Sequence, residues 1–169
     1  MSDIPATPAD GNLMIKAGLQ FADVNIPKLT EAIAASGKDL SCYATALEVT
    51  LDQASITDER LCTTDVFEQP GRKTHGLSIT VIDNTNSPDE TEFNDAVNTL
   101  VEGTVMDILI RRGKAFDTAL ATGDTVRIYR VKVGAKVDLP PEANSTIKSQ
   151  YKLFIISSPA LDVKIVAGS

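Results

Sequence analysis

Short runs in which apolar and polar residues alternate recur along most of this 169-residue chain. In one of them, Leu47, Val49 and Leu51 alternate with polar or small residues, and the pattern repeats at 77–82, 105–111 and 125–133. A period of two places successive side chains on opposite faces of a strand, so each run predicts a β-strand. Residues 12–21, 147–157 and 161–166 are further candidates, which makes six or seven strands.

Residues 88–102 depart from this period and predict a helix. The preceding Ser87 and the later Glu90 form a capping box, and Pro88 suits the first helical position. The apolar residues that follow have helical spacing and form one stripe: Phe93, Ala96, Val97, Leu100 and Val101. Gly103 is a typical helix end. Such a stripe must pack on a sheet. A second, shorter helix is predicted after Pro27.

The pattern of many strands and one well-formed helix predicts a mainly β fold, an antiparallel sandwich or barrel with the helix packed on it. The length suits one domain, which we place at 12–159. Residues 1–11 are polar and contain two prolines, so they predict a flexible N-terminal arm, and 160–169 predict a C-terminal arm. Trp is absent, and a core of Val, Ile, Leu and Ala is expected.

A polar segment from Asp52 to Thr74 separates two of the predicted strands. It carries five acids, and its cations are confined to Arg60 and the Arg72–Lys73 pair. Compact domains rarely keep a loop this long unless it binds a partner or is disordered. Apolar residues recur within it, which argues against simple disorder. The segment therefore predicts a long loop that docks on a neighbouring molecule.

The net charge of −7 and the pI near 4.7 argue against a protein that grips nucleic acid. Acidity at this level has two readings. It maintains solubility, or it keeps a surface from holding phosphates that pass it. No apolar run approaches the roughly 20 residues that a membrane span needs. The N-terminus has no signal-peptide pattern, so we expect folding in a cytoplasm.

The residues that could carry chemistry have simpler explanations. The lone histidine, His75, has no nucleophile motif beside it, and packing is the favoured reading. The acids at 89–95 are explained by helix capping and the helix dipole rather than by a metal. Cys42 and Cys62 do not complete a zinc site, and small buried thiols are the favoured interpretation. We expect no enzyme activity, cofactor or metal.

Several long segments resemble one known family. The segments TDERLCTTDVFEQPGRKT (57–74), HGLSITVIDNTNSPDETEFNDAVNTLVEG (75–103) and RRGKAFDTALATGD (111–124) closely resemble major tail tube proteins of long-tailed phages of the siphovirus type. Those of phages that infect actinobacteria are the most similar. PKLTEAIAASGKDLSCY (27–43) and LPPEANSTIKSQYKLFI (139–155) are similar to the same family. The resemblance covers roughly residues 27–159.

This resemblance implies a structural virion protein that is assembled in the host cytoplasm. Six copies would form a ring in which the sheets join, and rings would stack around a tape measure protein. The tube would later conduct DNA into the host. A tail-tip initiator and a tail terminator are the other implied partners. The long loop would lie between rings, commonly mobile in the free subunit and ordered in the tube.

The resemblance and the strand alternation together give two sets of candidate residues. The inter-ring set lies in the long loop and comprises Asp58, Glu59, Arg60, Phe67, Arg72 and Lys73. The lumen-facing set follows from strand alternation and comprises Glu48, Thr50, Ser78, Thr80 and Asp107. Lys148, Gln150 and Lys152 are expected on the same face, so the lining need not be uniformly acidic.

Two other functions remain open from the sequence. One is a monomeric β-sandwich module whose long loop binds a ligand or a host receptor. The other is a tube subunit of a related contractile or secretion system, which shares the fold. Dependence of self-assembly on the loop distinguishes the monomeric module from the tubes.

Overall fold

The computed structural model describes residues 3–168, and Met1, Ser2 and Ser169 of the predicted arms lie outside the described residues. Strands dominate the chain. They are β1 (Leu13–Leu19), β2 (Lys38–Asp39), β3 (Ala44–Asp58), β4 (Phe67–Ile82), β5 (Val105–Arg112), β6 (Thr125–Asp138), β7 (Lys148–Ile155) and β8 (Ala160–Lys164). Two short helices, α1 (Leu29–Ala32) and α2 (Asp95–Thr99), complete the fold.

All eight strands belong to one antiparallel sheet in the order β2-β1-β5-β6-β7-β4-β3, and β8 pairs with the first half of β6. The sheet curls into a half-barrel. The predicted mainly β, antiparallel fold is therefore confirmed.

The inner face of the curled sheet carries the main hydrophobic core. Alternate residues of β1, β4, β5, β6 and β7 point into it, and α2 closes it with Ala96 and Leu100. In β5, for example, Met106, Ile108 and Ile110 face this core, and of the two closing residues Ala96 lies in α2 and Leu100 directly follows it. The concave side of the sheet is thus filled with side chains, as in a small closed barrel.

A second apolar cluster covers the outer face of β1, β5 and β6. Leu109 and Ile128 point outward into it, and α1, β8 and the segment before β6 cover them. Gly18 allows β1 to contribute side chains to both clusters. Its φ of +78° and a register shift between Lys16 and Leu19 form a bulge, so Ala17 faces the inner core and Leu19 the outer cluster.

Arg111 is the largest buried polar side chain, only 1% exposed. Its guanidinium donates to Asp124 and to three carbonyl oxygens of the segment between β5 and β6, those of Ala115, Thr118 and Ala119. Lys114 also pairs with Asp124. Arg111 therefore holds this irregular segment against the sheet.

A second polar network closes one end of the core. The buried carboxylate of Asp83 accepts hydrogen bonds from Ser149 and Thr85 and pairs with Lys136. Burial by itself would raise the pKa of Asp83, but the bonds from Lys136, Thr85 and Ser149 outweigh it and hold this pKa well below its usual range. The charged form of Asp83 is therefore the one that stabilises the fold.

The predicted helix at 88–102 is much shorter in the structure, because only 95–99 are helical. The Asn84 side chain of the preceding segment competes for its backbone, because Asn84 Nδ2 donates to the Phe93 carbonyl. In return, the buried Asn94 side chain accepts from the Asn84 amide. The predicted capping box of Ser87 and Glu90 is not formed. Ser87 Oγ accepts from the Asp89 amide and the Glu90 side chain accepts from the Asn86 amide, and these bonds close turns instead of starting a helix. Phe93 stays half-exposed, so the apolar stripe overstated the buried face.

The predicted long loop at 52–74 is also different, because β3 and β4 run on through it as a hairpin closed by the turn 59–66. Its alternation is weak because neither face of this ribbon is buried. The C-terminal residues likewise differ from a free arm. β8 pairs with β6, and the Val166 backbone bonds to Pro27 and Leu29.

We expect Arg111→Met to lower the free energy of unfolding of the monomer by about 3 kcal/mol, because it removes one partner of a buried ion pair and three carbonyl contacts. Urea denaturation measures this. The neighbouring Arg112 is exposed, so Arg112→Met should change stability by no more than about 0.5 kcal/mol. Equal effects of the two variants would contradict the role given to Arg111.

We expect Asp83→Asn to lower stability near pH 7 and to lose this effect in acid. The folded-state pKa of Asp83 is depressed, so its contribution is present above the unfolded pKa of about 3.9 and disappears as the pH falls. Urea denaturation between pH 3 and pH 7 should show the two proteins converging below about pH 4. Asp138 is the exposed member of the network, so Asp138→Asn should have a smaller effect. A gap that stays constant down to pH 3 would contradict this account.

Candidate assembly surfaces

The β3–β4 hairpin extends beyond the body of the protein. The last pair between β4 and β7 is Leu77 with Leu153, whereas β3 and β4 stay paired as far as Asp58 and Phe67. We call residues 52–74 the arm. A bulge between Gln53 and Ser55 interrupts it, where a Cβ on Gly71 would lie 2.7 Å from the Ala54 carbonyl oxygen.

The arm exposes a set of large apolar side chains to solvent. They are Ile56, Leu61, Val66 and Phe67, and Leu51 lies at its base. Two strands without a packed face are marginally stable in water, and clustered exposed apolar residues usually mark an interaction site. The arm therefore has the properties of a segment that becomes stable when it packs against a partner molecule.

The predicted inter-ring residues are all on the arm, but they do not form one cluster. Asp58 pairs with Arg60 within the arm at 2.9 Å, and Phe67 is the cross-strand partner of Asp58. Glu59 lies in the turn. Lys73 is paired with Gln53, about 20 Å from the Phe67 end at the usual strand rise. Arg72 and Lys73 are thus too far away to meet the tip acids of their own chain.

Four of the five predicted lumen residues share one sheet face. Glu48 is opposite Ser78, which is opposite Lys152, and Thr80 is opposite Gln150. We call the outer-face residues Glu48, Thr50, Ser78, Thr80, Gln150 and Lys152 the polar face. All of these residues except Thr80 line a shallow groove of about 390 Å³, and Thr80 is only 8% exposed. The inner face of these same strands is filled by the core.

The prediction for Asp107 was wrong. This carboxylate is 1% exposed, and it accepts hydrogen bonds from Arg130 Nε at 2.8 Å and from the Phe21 amide at 2.7 Å. Arg130 also donates to the Phe21 carbonyl. Alternation placed Asp107 on the outer face correctly, but the chain that follows β1 folds over it there. Nothing local to β5 signals that cover.

The edge of the sheet formed by β3 is open. Among residues 3–168, β3 pairs only with β4, so its other side presents free backbone donors and acceptors over 15 residues. At the opposite edge, β1 is capped by the two-residue β2 and by contacts of Ile15 with Leu40 and Ser41. A long open edge is a template for pairing with another strand.

In the described part of the chain, the fold does not bring the candidate catalytic and metal-binding residues together. Within residues 3–168, no group of three or more His, Cys, Asp or Glu could hold a metal ion. Cys42 and Cys62 are both exposed, so the expectation that they are buried was wrong. They flank the 15-residue β3, which is about 50 Å long, far beyond the reach of a disulfide within one chain. No helix in the described part of the chain is long and apolar enough to cross a membrane.

One surface feature was missed by the sequence reasoning. Four exposed or half-exposed cations from separate segments gather where β5 ends and where β6 and β8 pair. These cations are Arg112, Lys114, Arg127 and Lys164. We call them the cationic cluster. They are spread over more than fifty positions of the sequence, so only the strand register reveals that they are neighbours.

Comparison with known proteins shows which family and which solved structures this chain resembles. A family model described as "Phage tail tube protein" matches residues 1–168. No curated protein matches the chain in sequence. Among solved structures, a chain of the anti-feeding prophage baseplate, described as 6-fold symmetrised, is similar with a TM-score of 0.51 at 15% identity, covering 94% of this chain and 95% of that chain. A chain of the anti-feeding prophage tube-terminating cap has a TM-score of 0.54 at 10% identity, covering 92% and 90%. At these identities the structural likeness shows a shared fold.

Proposed function

The chain belongs to the phage tail tube protein family, a family of structural tail proteins, and from that premise we propose that it is the repeating subunit of a tail tube. Six copies form a ring, and rings stack around a tape measure protein. The finished tube conducts DNA into the host. The observation that carries this proposal is the arm, which is a 23-residue two-stranded ribbon with exposed apolar side chains and, in the described chain, no third strand beside it.

Ring formation is supported by the open edge of β3. Pairing that edge with a neighbouring subunit satisfies its backbone groups and removes an aggregation hazard, since a closed ring has no free edge. Six-fold closure is supported by the 6-fold symmetrised baseplate in which a chain of similar fold occurs. Six copies would carry 6 × −7 = −42 formal charges per ring.

Stacking of rings is the role we assign to the arm. Its apolar residues gain the burial that the isolated subunit cannot provide, and Asp58, Glu59, Arg60, Phe67, Arg72 and Lys73 supply the contacts to the next ring. Ordering a marginal ribbon at the moment of docking couples folding to binding. That coupling favours addition of subunits to an existing tube over random association in solution.

The polar face is our candidate for the lumen wall. The inner face of the sheet is filled by the core, so a subunit can offer only its outer face to a channel. On the polar face Glu48 and Lys152 flank Ser78, and the other residues are small or neutral. A wall of mixed charge neither holds nor repels the DNA backbone strongly, which suits a conduit.

The segment-wise resemblance supports the finer assignment to a siphovirus-type tail of an actinobacterial phage. On this proposal the subunit assembles in the host cytoplasm on a tail-tip initiator, and a terminator protein ends the tube. A tube of a related contractile or secretion system is the second candidate, and the likeness to two anti-feeding prophage chains favours it. Electron microscopy of the particle that contains this protein shows which of the two tail types it has.

Electron microscopy of the purified protein at increasing concentration tests assembly, with virion tails as the reference and as seeds for growth. Deletion of residues 57–68 should abolish tubes and leave a folded monomer. If the protein is instead a monomeric binding module, neither the full-length protein nor the deletion variant should form tubes, with or without seeds. Antibodies to the protein should label virion tails along their whole length, and failure of both labelling and assembly would refute the proposal.

A matched pair of point variants tests the role of the arm without deleting any residues. We expect Phe67→Ser to raise the concentration needed for assembly at least about tenfold, because an apolar side chain of the arm is lost from the interface. Phe93 has the same exposure, 51% against 52% for Phe67, but lies away from the arm. Phe93→Ser should assemble as the wild type does. If both variants assemble equally well, the arm is not the inter-ring contact.

The lumen assignment predicts a size-dependent reactivity. In a background with Cys42→Ser and Cys62→Ser, Thr50→Cys should react in assembled tubes with a small maleimide but not with a large polyethylene-glycol maleimide. Ala35→Cys, on an exposed segment away from the polar face, should react with both. Reaction of Thr50→Cys with the large reagent in intact tubes would place the polar face on the outside.

A further inference from the structure

The net charge of this chain is concentrated at one end of the sheet. Residues 83–104 join the end of β4 to the start of β5, and residues 139–147 join the end of β6 to the start of β7, so the strand register places both segments at the same end. Together they hold seven of the 23 acids and none of the 16 bases, so the 16 remaining acids balance the bases. We call these two segments the acidic end. Its acids are Asp83, Asp89, Glu90, Glu92, Asp95, Glu102 and Glu142.

The local structure does not account for the exposed acids of this end. Helix capping and a helix dipole explain Asp89 and Glu92 only if the whole predicted helix forms, and only residues 95–99 are helical. Together with Glu102 and Glu142, these two acids are exposed, and within the described chain none of the four makes an ion pair. Like charges gathered without counter-charges repel one another, so this end is suited to a positively charged partner.

The cationic cluster lies at the opposite end of the same sheet. Arg112 ends β5, and continuing the β5–β6 register by two residues places it beside Thr125, whose neighbour on the other side is Lys164 of β8. Arg112 and Lys164 are therefore two strand spacings apart, about 10 Å. Both side chains are exposed, and neither makes an ion pair within residues 3–168.

The acids beside the cationic cluster leave these two cations available. Asp124 is buried and Asp162 is exposed, and both already have cationic partners on this surface. Asp117, in the segment that joins β5 to β6, is exposed and offsets part of the positive charge. The surface keeps a positive centre at Arg112 and Lys164, because no acid of the described chain pairs with either of them.

The arm projects from the end that carries the cationic cluster. β4 parts from β7 at Leu77 and Leu153, on the side where β5 ends and β6 begins. If the arm reaches the next ring, as proposed above, this end of every subunit faces the next ring. Copies that share one orientation stack head to tail, so the next ring presents its opposite end, which is the acidic end.

We propose that the cationic cluster of each subunit docks on the acidic end of a subunit in the next ring. The proposal rests on the tube function above and names a pair of body surfaces that join rings in addition to the arm. Attraction between unlike ends makes the stack polar, because a subunit added upside down brings like charges together. The contact is one of charge, so Phe93→Ser, which changes no charge, remains a control for the arm.

Charge reversal in the full-length chain tests this contact. The cation-reversed protein carries Arg112→Glu and Lys164→Glu, and the acid-reversed protein carries Asp89→Lys and Glu142→Lys, one from each segment of the acidic end. Each protein should need at least about tenfold more subunit to form tubes, because like charges then meet at every contact between rings. The four-change protein, which combines both sets, should return to within about threefold of the wild type. Sedimentation of tubes at a fixed low salt concentration measures all four proteins.

The control adds Asp23→Lys and Glu48→Lys to the cation-reversed protein. Both of these acids are exposed and belong to neither end, and the control has the same net charge as the four-change protein. It should remain as defective as the cation-reversed protein. Equal rescue by the control would overturn the proposal, because net charge alone would then explain the recovery.

Mixing gives a second readout, which a loss of folding cannot imitate. The wild type and the four-change protein each present unlike ends to their own copies and like-charged ends to the other protein. Labelled with two different fluorophores and mixed, they should form separate tubes, and random mixing of the two labels along each tube would overturn the proposal.

The remaining outcomes separate this proposal from the tube function. Normal assembly of the cation-reversed or the acid-reversed protein would overturn the docking of these two ends and leave the tube function intact. Failure of the four-change protein to recover would do the same. Failure of the wild type to form tubes, seeded or unseeded, would refute the tube function and this proposal with it.

Discussion

A single curled sheet that fills its own concave side is the constraint on which the rest of this structure depends. Side chains from five strands, with Ala96 of α2 and Leu100 just after it, form one core on the inner face. The open edge, the outer face and the arm are therefore the surfaces that the described chain presents for contact with neighbours. A fold of this kind is suited to contact with neighbours, and the family to which it belongs builds tails.

Stability is divided unevenly across the molecule. The body is held by the core and by buried polar pairs, of which Arg111 with Asp124 and Asp107 with Arg130 fix irregular segments to the sheet. The arm has neither a core nor a third strand. On the proposed function, the arm gains apolar burial only where it docks on another subunit, so its ordering is coupled to assembly.

Charge has different roles in different places on this chain. Buried carboxylates such as Asp83 are structural, and the depressed pKa of Asp83 ties its charged form to the folded state. Exposed acids on the arm and exposed cations around Arg112 are separate surfaces of opposite sign on one subunit.

The sequence by itself determined the strands, because a period of two follows directly from burial of one face, and it determined which residues share that face. It placed Glu48, Ser78 and Thr80 together for this reason. Only the tertiary structure decided which other parts of the chain cover each face of the sheet. Asp107 has the same alternation but lies under the chain at Phe21, and the helix at 88–102 shrank because the Asn84 side chain donates to the Phe93 carbonyl. The arm showed no clear pattern because neither of its faces is buried, and the cationic cluster depends on register between distant strands, which no local pattern encodes.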